Sequence, residues 1–317
     1  MSLKIIFMGT PKFGAIILKK LINSRYKPIL VVTETDKPVG RKKILTPPPA
    51  KVVAEKYEIP VLQPEKIRNS ESEIRNLKPD LIIVAAYGKI LPEEILEILK
   101  YGCLNVHPSF LPRWRGPSPI QFTILNGDTD SGVTIMKITK KVDAGAILIQ
   151  KELKLEENET YDILHDKLGE MGGDLLIKII PEWITGKINP QLQDESEATY
   201  TRILKKEDGR IEWKKPAEEI ERKIRAFDSW PGTFTFWEKS GILIRIKILK
   251  ARILNRADSK TYPIGKTLVA GQNELCVQTG KGFLIIEKLQ LEGKKEINSE
   301  DLLRGYPDFI GTILDQK

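Results

Sequence analysis

The chain has 317 residues, a length that suggests two domains rather than one. Its apolar fraction of 41% is ordinary for a globular protein with a sizeable core. The net charge of +8 permits a polyanionic partner without establishing one. Two cysteines, Cys103 and Cys276, are too few for a disulfide framework and do not have the spacing of metal ligands.

The first ten residues resemble a strand more than a signal peptide. Nowhere does an apolar run approach the roughly 18 residues that a membrane span needs. We therefore expect a cytoplasmic protein, which we take to be a monomer.

Short apolar runs alternate with helical patterns through the first half of the chain. This alternation predicts an α/β domain with a parallel sheet and helices on both faces. The runs cover residues 4–8, 28–33, 80–86 and 103–107, and a fifth run, 132–138, alternates in the manner of a longer and less buried strand. Because ligands bind beyond the carboxyl ends of such strands, the end of the 103–107 run is a candidate site.

The Gly-Thr-Pro-Lys-Phe-Gly string at 9–14 follows the first predicted strand and begins a helix. A helix N-terminus of this kind can bind an anion. The glycine and lysine spacings match neither the dinucleotide fingerprint nor the phosphate loop. A tight strand-to-helix turn without a ligand explains the string equally well.

Residues 36–51 form a basic segment that ends in a proline run. Glycine makes such a segment mobile, and the prolines hold its end extended. Beside an α/β cleft, a loop of this charge could close over the phosphate backbone of a nucleic acid. A solvated surface loop is the alternative. The charged residues are Lys37, Arg41, Lys42, Lys43 and Lys51, opposed by Asp36.

The segment that follows residue 102 carries the strongest chemical signal. In a strand, Asn105 and His107 project from the same face because they are two residues apart. An amide and an imidazole side by side can stabilise an oxyanion that develops on a carbonyl. His107 is one of only two histidines, and the Pro-, Trp- and Arg-containing loop after it could form a pocket wall. A structural histidine is the alternative.

Asp143 lies in a turn of small residues between two strand-like runs. A carboxylate at this point could orient His107 or accept a proton from an incoming amine. An ordinary aspartate in an Asx-turn before glycine is the alternative, since the local Asp-Ala-Gly string is common.

The second half begins with a predicted helix over 160–180 and a polar stretch, 186–199, that we interpret as an interdomain linker. A helix over 214–227 follows. Short strands with glycine-rich turns then predict a small barrel of OB-like type. These strands cover 242–249, 267–270, 275–279 and 283–289. The domains are expected at 1–189 and 209–317, with 190–208 as the linker.

A basic stretch lies within the predicted barrel. Seven cations there are opposed only by Asp258. This clustering is more informative than the net charge, because a polyanion binds to a local surface. The cations are Arg245, Lys247, Lys250, Arg252, Arg256, Lys260 and Lys266.

Several strings together resemble the folate-dependent formyltransferases. They are Asn-Val-His at 105–107, Ser-Phe-Leu-Pro-Arg-Trp-Arg-Gly at 109–116, Gly-Val-Thr-Ile-Met at 132–136, and Asp143 with Gly145. Strings at 6–11, 36–41, 84–92 and 225–231 are similar to the branch of that family that formylates initiator methionyl-tRNA. The resemblance covers nearly the whole chain and is weakest between residues 250 and 281.

The resemblance implies an N-terminal formyltransferase domain, a Rossmann-like sheet, and a C-terminal OB-like domain that binds tRNA. It implies 10-formyltetrahydrofolate as formyl donor, the α-amino group of initiator methionyl-tRNA as acceptor, and no metal. The implied catalytic residues are Asn105, His107 and Asp143. The implied folate contacts are Ser109, Phe110, Leu111, Pro112, Tyr87 and Gly88, and the implied tRNA contacts are Arg41, Lys42 and Lys43. Phe110 departs from the leucine of the family and could change how the folate packs.

Three other functions are compatible with parts of the sequence. A sugar-nucleotide N-formyltransferase would share the three catalytic residues but would not need a basic loop and a basic barrel. A formyl-folate hydrolase would use water as acceptor. A noncatalytic nucleic-acid-binding protein would use the α/β domain as a scaffold. The combination of catalytic strings with basic segments favours the tRNA enzyme.

Overall fold

The computed structural model describes residues 3–40, 42–254, 262–271 and 273–315. The chain forms two compact units. The first comprises Met1–Pro119, Thr129–Leu155 and Ile163–Arg202, and the second comprises Ile120–Asp128, Glu156–Asp162 and Ile203–Lys317.

The strands up to residue 154 are β1 Ile5–Gly9, β2 Leu30–Val32, β3 Lys37–Val39, β4 Ile44–Thr46, β5 Val61–Leu62, β6 Leu81–Ala85, β7 Cys103–His107, β8 Asp130–Lys137 and β9 Ile147–Lys154. The helices up to residue 184 are α1 Lys12–Ile22, α2 Pro49–Lys56, α3 Glu71–Leu77, α4 Glu93–Leu96, α5 Pro119–Asn126 and α6 Tyr161–Ile184. The later elements are α7 Ala217–Ala226, β10 Thr233–Lys239, β11 Ile242–Leu254, β12 Thr267–Ala270, β13 Glu274–Gln278, β14 Phe283–Leu291, β15 Glu296–Asn298 and α8 Ser299–Gly305.

The first unit contains a seven-stranded sheet in the order β5-β2-β1-β6-β7-β8-β9. The strands from β5 to β7 are parallel, and β1 and β6 are buried along their whole length. Continuous burial follows from helices on both faces of a parallel sheet, as the apolar runs predict. Because β1, β6 and β7 are parallel, their carboxyl ends near Gly9, Ala85 and His107 share one edge of the sheet. The strand order reverses between β1 and β6, and ligands bind at such a point.

The strand β8 differs from its prediction. It pairs antiparallel with β7 and β9, and six of its eight residues are buried. The alternating pattern of residues 132–138 indicated a less buried strand. Because β9 covers its free edge, β8 is an inner strand, and its small and polar residues Ser131, Gly132 and Thr134 lie inside the unit.

The basic segment at 36–51 is more ordered than the sequence indicates. It contains the antiparallel hairpin of β3 and β4, and α2 begins at Pro49. Proline suits the first turn of a helix because the backbone N–H it lacks would have no partner there. The proline run therefore starts α2, whereas the sequence indicated only an extended end to the segment.

The second unit is an antiparallel sheet in the order β10-β11-β14-β13-β12, with β15 paired to β14. Its core contains Trp237, Val277 and Leu284 together with Ile220 and Ile224 of α7. In the described residues, β10 and β12 do not pair with each other, so the sheet curls without a closed ladder. The expected α/β domain followed by a small β domain is confirmed.

The polar stretch interpreted as a linker is hydrogen-bonded to the first unit. Gln191 pairs with Ile147 through both backbone groups, at 2.8 Å. The Arg115 N–H donates to the Thr199 carbonyl at 2.9 Å, and the Thr201 N–H donates to the Arg115 carbonyl at 2.7 Å. These hydrogen bonds fix this part of the chain to β9 and to the loop after β7.

Candidate active site

The end of β7 carries Asn105 and His107. His107 is buried, and its Nε2 lies 3.0 Å from the Trp114 carbonyl oxygen. A carbonyl can only accept a hydrogen bond, so Nε2 carries the hydrogen. The other ring nitrogen, Nδ1, lies 3.8 Å from Oδ2 of Asp143.

Asp143 lies in the turn between β8 and β9 in a left-handed conformation, with φ of 49°. Its Oδ2 accepts a hydrogen bond from the Gly116 N–H at 2.8 Å. Its Oδ1 lies 3.5 Å from the Asn105 amide nitrogen. The carboxylate therefore faces both residues at the end of β7, and the three residues selected from the sequence meet at one point.

Gly145 allows this turn to close tightly. A Cβ atom at this position would lie 1.7 Å from the Lys137 carbonyl oxygen, a distance no side chain can accept. The Lys137 N–H donates to the Ala146 carbonyl at 2.9 Å. The glycine of the Asp-Ala-Gly string is thus required by the approach of two backbone segments.

The segment 109–112 divides into buried and exposed residues. Ser109 and Leu111 are fully buried, and the Ser109 hydroxyl donates to the Arg113 carbonyl at 2.6 Å. Phe110 is 41% exposed. The Leu111–Pro112 peptide bond is cis. Of the side chains expected to contact folate in this segment, Phe110 is therefore the one that solvent reaches most easily.

Thr134 and Gln150 lie beneath this segment and were not identified from the sequence. The Thr134 hydroxyl donates to the Ser109 carbonyl at 2.7 Å and accepts from the Leu111 N–H at 3.1 Å. The Gln150 amide donates to the Leu111 carbonyl at 2.8 Å and to the Thr134 hydroxyl at 2.9 Å. Both side chains come from neighbouring strands, and no short motif connects them to the loop.

The turn after β6 contributes Ala86, Tyr87 and Gly88 to the same edge of the sheet. Tyr87 is 1% exposed, whereas its two neighbours are exposed. Burial raises the pKa of the Tyr87 hydroxyl to about 12, so this group stays protonated at neutral pH. Tyr87 therefore supports the turn from within the core, and the exposed backbone beside it is available to a ligand.

The tip of the β3–β4 hairpin presents both positive charge and apolar surface. Lys42 and Lys43 are exposed, and Arg41 lies outside the described residues. Exposed apolar side chains accompany them, namely Val39 at 56%, Ile44 at 63% and Leu45 at 65%. Single exposed apolar residues are common, but a group of this size at a hairpin tip is typical of a contact surface.

The base of the hairpin is held by Asp36. Its carboxylate accepts hydrogen bonds from the Gln63 amide at 2.8 Å and from the Lys51 ammonium at 2.9 Å. These two hydrogen bonds hold the pKa of the Asp36 carboxyl below its usual range. The ion pair joins the start of the hairpin to α2, so the tip projects from a fixed base.

Arg115 is a third residue whose role was not predicted. Its guanidinium is 2% exposed and donates to both carboxylate oxygens of Glu195, at 3.0 and 3.1 Å. Its Nε donates to Oε1 of Gln193 at 3.0 Å. The hydrogen bonds from Arg115 lower the pKa of the Glu195 carboxyl. The sequence analysis treated this loop only as a possible pocket wall, and the partner of Arg115 lies 80 residues away in sequence.

The basic stretch of the second unit is partly neutralised within its own sheet. Lys250 lies 2.9 Å from Glu287, and Arg252 pairs with Glu274 and Glu287. The Arg245 guanidinium lies 3.8 Å from the centre of the Phe234 ring. Arg256 and Lys260 lie outside the described residues.

The site has the chemical groups for acyl transfer to an amine. An amide and an imidazole can donate hydrogen bonds to an oxyanion, and a carboxylate can accept a proton. In the described ranges, no group of three or more His, Cys, Asp or Glu side chains could hold a metal ion. Among the helices described, none has the length and apolarity to cross a membrane.

Comparisons with known proteins agree with this chemistry. The formyl transferase family matches residues 3–180, and the formyl transferase C-terminal domain matches residues 203–307. A methionyl-tRNA formyltransferase from Bacillus velezensis is 44% identical over 317 residues, covering 99% of this chain and 98% of that protein. Another, from Citrifermentans bemidjiense, is 41% identical over 318 residues, covering 100% of this chain and 98% of that protein.

The fold also matches a solved structure. An N-formyltransferase from Helicobacter canadensis, in complex with folinic acid and dTDP-3-aminofucose, has a TM-score of 0.65 and 21% identity, covering 90% of this chain and 98% of that one. At this identity the likeness concerns the fold alone. The family matches and the full-length relatives confirm the resemblance found in the sequence. The chain therefore belongs to the formyl transferase family of enzymes.

Proposed function

We propose that the chain transfers the formyl group of 10-formyltetrahydrofolate to the α-amino group of initiator methionyl-tRNA, for translation initiation. The observation that carries the proposal is the meeting of Asn105, His107 and Asp143 at the carboxyl edge of the sheet. The full-length relatives that are named for this activity support the choice of acceptor. The folinic acid in the Helicobacter canadensis structure supports the choice of a folate donor.

In this mechanism the amine nitrogen attacks the formyl carbon directly. The carbonyl π electrons move to oxygen, and the Asn105 amide and the protonated His107 donate hydrogen bonds to the resulting oxyanion. With Nε2 bound to the Trp114 carbonyl, His107 has Nδ1 left for the second proton. Asp143 faces this nitrogen and stabilises the imidazolium.

The intermediate then collapses. The carbonyl bond re-forms, the bond between the formyl carbon and N10 of the folate breaks, and N10 leaves with a proton. Asp143 accepts the proton that the amine loses, and Nδ1 of the protonated His107 gives its proton to N10. Transfer of the proton from Asp143 to Nδ1 then restores both groups. The products are the formylated amine and tetrahydrofolate, and no covalent enzyme intermediate forms.

Other parts of the chain have supporting roles in the proposal. Residues 109–112 and the turn at 86–88 line the folate pocket. Lys42, Lys43 and Arg41 contact the acceptor end of the tRNA, and residues 209–317 form the domain that binds its body. Because one chain supplies all three catalytic residues, a monomer is sufficient for the reaction. The proposed role in translation initiation places the protein in the cytoplasm.

The decisive test uses Asn105→Ala and His107→Ala with charged initiator tRNA and 10-formyltetrahydrofolate. Each variant removes one oxyanion donor, and we expect kcat to fall on the order of 100- to 1000-fold. Binding of tRNA, measured by filter retention, should stay close to that of the wild type, because neither side chain belongs to the basic surfaces.

His165→Gln is the matched control, since it removes the other histidine of the chain. We expect this control to retain activity. Wild-type activity of Asn105→Ala and His107→Ala would refute the assignment of the site. Equal formylation of an amino-sugar nucleotide and of methionyl-tRNA, or release of formate without an acceptor, would refute the proposed acceptor.

A further inference from the structure

The segment 191–201 contacts the loop at 114–118 and the turn at 143–145. The Thr199 hydroxyl accepts a hydrogen bond from the Trp114 N–H at 2.8 Å. The Thr201 hydroxyl accepts from the Ser118 N–H at 3.1 Å and donates to the Arg115 carbonyl, also at 3.1 Å. The segment therefore fixes the loop whose Trp114 carbonyl holds the imidazole of His107.

Gln193 connects this segment to the catalytic carboxylate. Its amide nitrogen donates to the carbonyl oxygens of Asp143 and Gly145, each at 2.8 Å. Its Oε1 accepts from the Arg115 Nε at 3.0 Å. Arginine has only donors and carbonyls have only acceptors, so the orientation of the Gln193 amide is determined by its surroundings.

The contacted turns hold unusual backbone conformations. Asp143 and Trp114 have φ values of 49° and 60°. A residue with a side chain pays a conformational cost in this region and stays there only where its surroundings hold it. A Cβ atom at Gly116 would lie 2.8 Å from the Thr201 hydroxyl, so this segment also approaches the amide that binds Asp143.

We propose that Gln193 is a positioning residue for catalysis: by binding two carbonyls of the 143–145 turn, it holds the Asp143 carboxylate against His107. This inference rests on the proposed function, because it assigns Gln193 to the same site. Gln193 does not contact the reacting atoms. It acts through Asp143, with Arg115 fixing the direction of its amide.

Gln193→Glu tests the proposal because it keeps the acceptor toward Arg115 and removes the donors toward the turn. Gln193→Met, which is similar in length and has no amide, tests it without an added charge. Gln191→Glu is the matched control, since the Gln191 side chain is exposed and donates only to the neighbouring Asn189 carbonyl among the described residues.

We expect kcat of both Gln193 variants to fall on the order of 10- to 100-fold, because small displacements of a catalytic group have effects of this size. The KM values for folate and tRNA should stay within about twofold of the control, a difference that corresponds to less than one ordinary hydrogen bond. The Gly116 amide donates a hydrogen bond to the Asp143 carboxylate. Its hydrogen exchange should be roughly fivefold faster than in the control, because the loss of one hydrogen bond changes an equilibrium by about this factor.

A kcat equal to that of Gln191→Glu would overturn the inference, as would a rise in KM at unchanged kcat. A lower kcat with unchanged exchange at Gly116 would also overturn it, since the carboxylate would then be in place. If the wild-type chain made no formylmethionyl-tRNA, the proposed function would fail instead. The exchange measurement would then decide alone whether Gln193 holds Asp143.

Discussion

At the scale of single residues, Thr134 shows how one buried hydroxyl can organise the loop at 109–112. It donates to the Ser109 carbonyl and accepts from the Leu111 N–H and the Gln150 amide. Thr134 is completely buried, so no water can replace these partners without a rearrangement. Phe110, between the two contacted residues, is held at the surface as a consequence.

The prediction at this scale concerns Thr134→Val. Valine has almost the same shape but leaves the Leu111 N–H and one Gln150 proton without a partner. We expect the free energy of unfolding to fall by roughly 1–3 kcal/mol, as is typical for buried polar groups that lose a partner. The affinity for 5-formyltetrahydrofolate should fall about five- to tenfold, because the loop loses one or two hydrogen bonds.

Denaturant unfolding and ligand titration by fluorescence measure the two effects. Thr129→Val is the control, since Thr129 precedes the same strand, is exposed and donates only to the adjacent Asp130 in the described structure. If the folate affinity of Thr134→Val equals that of this control, Thr134 does not support folate binding.

The residue scale also shows what the sequence could predict. The two-residue spacing of Asn105 and His107 was sufficient to expect both side chains on one face, and both face Asp143 in the structure. Thr134 and Gln193 could not be found in this way. Their partners are backbone groups 25 and 50 residues away, and no local pattern encodes such contacts.

At the scale of elements, apolar runs predicted the position of a strand well where both of its faces are buried. The run 103–107 coincides with β7, and the runs near β1 and β6 differ from the strands by one residue at each end. The antiparallel direction of β8 and the hairpin of β3 and β4 were not predicted. Pairing direction depends on partners distant in sequence, and the short exposed strands of the hairpin have no apolar alternation.

The hairpin gives the prediction at this scale. In Lys42→Gln/Lys43→Gln, two exposed cations are removed from its tip. We expect KM for methionyl-tRNA to rise about tenfold with kcat nearly unchanged. The slope of log affinity against log salt should decrease by roughly one for each phosphate that the hairpin no longer neutralises. Binding of folate should not change.

Initial-rate kinetics at three salt concentrations measure both parameters. Lys56→Gln/Lys66→Gln removes the same charge from exposed lysines outside the hairpin and serves as the control. If both double variants raise KM equally, the effect comes from net charge and the hairpin does not bind tRNA specifically.

At the scale of the whole molecule, charge and its local neutralisation must be considered together. The chain carries 51 Lys and Arg residues against 43 Asp and Glu residues. On β11 the sequence predicted a basic surface, but Lys250 and Arg252 have acidic partners on β13 and β14. Those partners lie more than 20 residues away in sequence, so a count of local charges overestimates the free positive charge of this strand.

The remaining excess of +8 nevertheless predicts a strong electrostatic contribution to tRNA binding. For the wild-type chain, we expect kcat/KM for methionyl-tRNA to fall at least about tenfold between 50 and 200 mM salt, since each neutralised phosphate releases counterions. The value of kcat at saturating tRNA should change little, because the buried groups around His107 are screened weakly by salt. Steady-state assays over this range separate the two parameters. A parallel fall of kcat would locate the salt effect in the chemical step, and a flat kcat/KM would show that the acceptor is recognised without its phosphates.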